Sequence, residues 1–165
     1  MRIGALAGIV GTMVMVACGG SGDASPTGVN STGGTAGDGS VTATINGTAW
    51  RSSKALDHAL RASANAPIIT LSATNLPYSI AIAIGPITGP ATFSMDVGNP
   101  SNAVVTMTAG SLTTIWSTAL SGGKGSVTVT TLTATRIAGT FSFDAISNAG
   151  AATVQVRNGT FDLAF

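Results

Sequence analysis

Residues 123–165 read GKGSVTVTTLTATRIAGTFSFDAISNAGAATVQVRNGTFDLAF. In its first half, Val127 and Val129, then Ile137, Gly139, Phe141 and Phe143, fall at every second position. A period of two places one set of side chains on one face of a strand, with Ser and Thr on the other. Strands at Thr153–Arg157 and Thr160–Phe165 follow, separated by Asn158-Gly159. That dipeptide predicts a type I′ hairpin turn, because Asn and Gly accept the two consecutive positive φ angles it needs.

The same rhythm extends upstream. Val41, Ala43 and Ile45 alternate with Thr42 and Thr44, and Asn46-Gly47 predicts a first type I′ turn before Thr48-Ala49-Trp50. Ile69, Leu71 and Ala73 line one strand, and Tyr78, Ile80, Ile82 and Ile84 the next. Gly85-Pro86, Gly89-Pro90 and Gly98-Asn99-Pro100 punctuate the run that carries Phe93, Met95 and Val97. Val105 and Met107 precede a turn at Gly110-Ser111, and Leu112–Ala119 carries Trp116. Residues 51–65 read two ways. Leu56, Ala59, Leu60 and Ser63 have helical spacing, with Asp57 and Arg61 as an i,i+4 pair, while Lys54, Leu56, His58 and Leu60 alternate as a strand would. Nine or ten short strands without a βαβ rhythm predict an all-β fold. The expected form is a small antiparallel β-sandwich, with a partly open β-barrel as the alternative.

Composition agrees with that class and narrows the functions. Of 165 residues 24 are Thr and 17 Ser, and Glu is absent, a mix that favours strands over long helices. Seven basic and six acidic side chains leave a formal charge of +1, which supplies no field for a nucleic acid backbone. One cysteine forms neither an intrachain disulfide nor a thiolate metal cluster.

The lone cysteine has another use. Met1-Arg2 is followed by an uncharged, mostly apolar run, Ile3–Val16, of about 14 residues, shorter than the roughly 20 of a spanning helix. It reads as an export signal over residues 1–17. Met15-Val16-Ala17-Cys18 resembles the bacterial lipobox, which implies cleavage before Cys18, attachment of a diacylglycerol to its thiol, acylation of its amine by palmitate-type chains, and anchoring in membrane lipid. Gly19 in place of Asp implies the outer membrane of a two-membrane cell envelope. Residues 18–39 then form the lipidated cysteine and a flexible Gly/Ser/Thr linker, reaching about 25 Å, before a β domain over 40–165.

TATINGTAW (42–50), GKGSVTVTTLTATRIAGTFSFDA (123–145) and VRNGTFDLAF (156–165) together resemble an uncharacterised bacterial lipoprotein family, the domain-of-unknown-function family numbered 6252. The resemblance lies in the order of a strand with Asn-Gly and Trp, a Gly-led strand, an RI-x-GTFSF strand and a closing NG-x-F hairpin. It implies a small lipid-anchored β domain and brings no catalytic residues.

Chemistry-bearing constellations are sparse. His58 is the one histidine, and Asp57-His58 with Ser52 or Ser53 is the one arrangement that suggests a hydrolase triad. Adjacent strand residues face opposite ways, and neither serine sits in a G-x-S-x-G elbow. Asp23, Asp38, Asp57, Asp96, Asp144 and Asp162 are scattered, without a calcium-loop pattern or the spacing of paired glycosidase carboxylates. SGGKGS (121–126) is out of order for a phosphate loop, since Gly125 follows Lys124, and it reads as a turn. Trp116, Tyr78 and Trp50 are the candidate ligand-contact residues, as flat stacking surfaces, with core packing as their competing role. Strands shorter than the 9 to 11 residues of a membrane barrel argue against that fold despite the terminal Phe165. The sequence therefore predicts a lipid-anchored, non-enzymatic envelope module, structural or protein-binding, without metal or cofactor. A carbohydrate- or small-ligand-binding module is the second reading, and a hydrolase the third.

Overall fold

The computed structural model describes residues 39–61, 68–150 and 152–165. The expected signal peptide, Cys18 and the linker as far as residue 38, with Asp23 and Asp38, lie outside the described residues. Eleven strands are described: β1 Ser40–Ile45, β2 Thr48–Arg51, β3 His58–Arg61, β4 Ile69–Asn75, β5 Tyr78–Ile84, β6 Ala91–Ser94, β7 Asn102–Ala109, β8 Leu112–Ser117, β9 Lys124–Leu132, β10 Arg136–Ser147 and β11 Thr153–Ala164. They belong to a single sheet of order β2-β1-β11-β10-β8-β7-β5-β4-β3, in which β10 also pairs with β9 and β9 carries β6. All ten pairings are antiparallel.

The all-β class is as expected. The sheet curls into an open half-barrel, nearer to the partly open barrel than to a two-sheet sandwich. Alternation places the apolar positions on the inner face: Val41, Ala43 and Ile45 on β1, Ile69, Leu71 and Ala73 on β4, Ile80, Ile82 and Ile84 on β5 are all buried. Ile137, Phe141, Phe143 and Ala145 continue this face on β10, and Val154, Val156, Phe161 and Leu163 on β11. Each large side chain removed from water contributes about 1.5–3 kcal/mol before entropy is counted. A strand with one polar face can bury only its other side, so the sheet must bend around that side to cover it.

Three core phenylalanines share a device. Phe141 lies opposite Gly159, Phe161 opposite Gly139, and Phe143 opposite Gly125. A Cβ on Gly159 would stand 2.4 Å from the Phe141 ring, and one on Gly125 would stand 2.3 Å from Phe143 Cβ. Glycine leaves the cross-strand position open and the aromatic residue fills it. The rings then stack, Phe141 on Phe143 at 6.0 Å and on Phe161 at 6.3 Å between centroids.

The second Asn-Gly is not a turn. β11 runs unbroken from Thr153 to Ala164, and its register with β10 shifts between Phe141 and Phe143. Asn158 has φ 51° while Gly159 has no positive φ, so the pair forms a bulge. A bulge and a type I′ turn draw on the same residues because both need the left-handed region. The two short strands expected at 153–165 are thus one of twelve residues. Asn46-Gly47 is a hairpin turn as expected, with φ 48° and 83°.

Residues 51–61 resolve as one 3-10 turn, Lys54–Leu56, followed by β3. The strand alternation holds for His58–Arg61, but its buried member is Ala59, while Leu56, His58 and Leu60 are exposed. Consecutive β2 and β3 stand at opposite ends of the sheet path and so draw those ends together. Ser53 donates its amide to the Thr74 carbonyl (2.8 Å), Trp50 Nε1 donates to the Asn75 carbonyl (3.0 Å), and Asn75 Nδ2 donates to the Arg51 carbonyl (2.7 Å).

Candidate functional site

On strands with an apolar inner face, the intervening Thr and Ser point outward. Register then decides whether they scatter or align. Here they align: Thr92 lies opposite Thr128, Thr128 opposite Thr140, Thr140 opposite Thr160, and Thr160 opposite Thr42. The row crosses five strands, about 19 Å at the usual strand spacing. Its hydroxyls pair at both ends, Thr92 with Thr128 at 2.9 Å and Thr42 with Thr160 at 2.8 Å. Ser94, Ser126 and Ser142 form a parallel row one step along the strands.

Charge flanks the row: Arg51 lies opposite Thr42 at its β2 end, Lys124 lies opposite Asp144, and two ion pairs stand beyond the hydroxyls. Arg136 grips Asp162 with two hydrogen bonds, Nε to Oδ1 at 2.7 Å and Nη2 to Oδ2 at 2.6 Å. The hydrogen bond to Asp162 raises the Arg136 pKa above its ordinary value, so the pair keeps both charges. On the other side Arg157 Nη2 meets Asp144 at 2.5 Å, and Nη1 donates to the Phe143 carbonyl at 2.7 Å. Between these pairs the rows carry only hydroxyl and methyl groups. Two depressions lie on the face and both touch Asn158. One, about 400 Å³, is lined by Ser126, Thr128, Thr140, Ser142 and Thr160, and the other, about 370 Å³, by Thr42, Thr44, Trp50 and Arg51.

The three aromatic candidates do not come together on the surface. Trp116 is 9% exposed and lies opposite buried Val105, and its Nε1 is buried without a hydrogen-bond partner. Tyr78 shares the core-facing side of β5 with Ile80 and lies half-buried opposite Met107. Trp50, opposite buried Ala43, packs against the core too, yet its edge reaches the second depression.

At the corner between β2 and β3, Ser52 is buried and donates its hydroxyl to Asp57 Oδ2, and its Oγ accepts from the Val41 amide at 2.9 Å. Burial pushes the Asp57 carboxyl above the ordinary carboxylate range, against the hydrogen bond from Ser52. His58 faces solvent. The serine is therefore joined to the aspartate with no imidazole between them, which is not the order a nucleophile-activating triad requires. Lys124 opens strand β9, and no helix follows the SGGKGS segment. Among the described residues no group of three His, Cys, Asp or Glu side chains gathers as a metal site. No described helix is long and apolar enough to cross a membrane.

The Thr row was not legible as a site in the sequence. Its signal is the T-x-T alternation at 42–44 and 128–130, which gives outward Thr on single strands but not their alignment.

No curated protein and no solved structure matches the chain. Residues 37–163, from just before β1 to the end of β11, match the family described as a domain of unknown function, DUF6252, and the chain is a member of that family.

Proposed function

We propose that this chain is a bacterial lipoprotein whose β domain acts without catalysis as a contact module of the cell envelope. Cys18 carries the acyl chains, and the preceding residues are the export signal. The Gly/Ser/Thr linker joins the head to the outer-membrane lipid. The observation that carries the contact role is the uncharged Thr row on β6, β9, β10, β11 and β1, flanked by two internally neutralised ion pairs and by Arg51 at its β2 end. Such a face meets a partner without desolvating unpaired charge. The partner in this reading is an envelope protein laid across the hydroxyls.

A glycan partner is the second reading. It is favoured by the depressions, whose hydroxyl lining and Asn158 suit a polyhydroxylated ligand, with the edge of Trp50 at one side.

Two measurements test the proposal. Labelling with an alkyne-bearing palmitate in a producing bacterium should mark the parent chain and leave Cys18→Ser unmarked; an unmarked parent removes the anchor. A photo-crosslinking residue at position 140 should give one discrete protein adduct in intact cells. Loss of signal at 140 with adducts spread equally over the outer surface would remove the contact face, and competition by a neutral oligosaccharide would move it to the glycan reading.

A further inference from the structure

We propose that the domain rests on the membrane that holds its anchor, through the apolar and cationic end formed by Leu60, Arg61, Ile68 and Phe165. This inference rests on Cys18 being the acylated residue. Leu60, Ile68 and Phe165 are 58%, 43% and 38% exposed, large apolar side chains in water. They share one rim of the sheet. Leu60, opposite Thr70, and Arg61, opposite Ile69, point to the two sides of that rim, Ile68 immediately precedes Ile69, and the Arg61 guanidinium stands 4.9 Å over the Phe165 ring.

What selects a lipid surface as occupant is where the tether joins the domain. Gly39 donates its amide to the Asp162 carbonyl at 3.1 Å, and Ser40 lies opposite Asp162, three residues before Phe165. The chain leading back to Cys18 therefore leaves from the same end as the apolar cluster. By their Gly/Ser/Thr-rich sequence, its twenty residues, 19–38, correspond to a root-mean-square span of about 25 Å, which keeps that end close to the bilayer on average. A rim with aliphatic side chains on one side and a cation over an aromatic ring on the other suits the boundary between anionic headgroups and acyl chains. Leu112, 75% exposed, is the natural control. β8 is antiparallel to β10 and its Ser117 lies opposite Ile146, so Leu112 stands at the far end of the domain from Arg136 and the tether.

The test uses the mature chain from a bacterial host, in vesicles of phosphatidylethanolamine and phosphatidylglycerol. A spin label goes on Leu60→Cys, on Ile68→Cys in a second sample, and on Leu112→Cys, since acylation blocks Cys18 itself. With Cys18 acylated, labels at 60 and 68 should show a severalfold higher ratio of collisions with oxygen to collisions with a water-soluble nickel chelate than the label at 112. Equal, aqueous ratios at all three positions on an acylated chain would overturn the docking and leave the anchor standing. A Cys18 found unmodified by intact mass would overturn the anchor and the docking with it.

Discussion

The β9–β10–β11 ribbon and the β2–β3 corner belong to one sheet but are built by opposite means. The ribbon has strands of nine and twelve residues, a stack of three phenylalanines, and a glycine facing each ring. The corner has strands of four residues, leaves Leu56 and Leu60 in water, and keeps a carboxyl whose charge its burial disfavours. The first spends side-chain volume on cohesion. The second uses backbone and side-chain hydrogen bonds to bring the sheet's ends together. Substitutions should therefore be severe in the ribbon and mild in the corner.

Phe143→Ala should be the most damaging, because a ring 1% exposed leaves a cavity that the stacked neighbours can only partly fill. The expected loss is about 3–5 kcal/mol in urea unfolding. A loss below about 1 kcal/mol would mean the ribbon is not the better-packed region. Gly139→Ala should follow at about 3 kcal/mol. Its new methyl would lie 2.1 Å from the Thr128 carbonyl oxygen, a backbone atom that cannot swing away. A melt equal to the parent's would show that the aromatic–glycine pairing is incidental. Gly47→Val, at φ 83° with open space around it, should cost about 1–3 kcal/mol through backbone strain alone.

The corner's effects are smaller and depend on pH. Asp57 titrates above its unfolded value in the folded state, so the fold binds more protons than the unfolded chain between those two values. Its contribution is present below the unfolded value, near 4, and is lost as pH rises through the folded one. Asp57→Asn should therefore gain on the parent between pH 3 and pH 7, read as a growing difference in urea midpoint. A flat difference would place the carboxyl in water, and one that shrinks would mean the fold favours its charge. Leu56→Ser, at a side chain 54% exposed, should stay within about 0.5 kcal/mol of the parent.

The same contrast explains what could be read from the chain. Alternation at 69–73, 78–84 and 137–143 located the core because a half-buried strand leaves that imprint directly in its residues. Asn158-Gly159 misled because left-handed φ is needed by a bulge as well as a turn, and only the partner strand distinguishes them. Residues 51–61 carried two periodicities of equal strength. The hydrogen bonds that settle them run to Val41, Thr74 and Asn75, away in sequence. The candidate site was less legible for a related reason. Thr92, Thr128, Thr140, Thr160 and Thr42 form a row only through four registers that no single strand encodes. Trp116 is open to both stacking and core packing in the sequence because its neighbours are polar, and the sheet turns it to the core.

The central claim is that the neutral Thr row is the contact face, and charge insertion tests it most directly. A crosslinking residue at position 140 would be compared in the parent and in a Thr128→Lys/Thr160→Lys variant, with equal urea midpoints checked first. The account predicts a discrete adduct in the parent and its loss in the variant. An adduct of the same yield in both would contradict it.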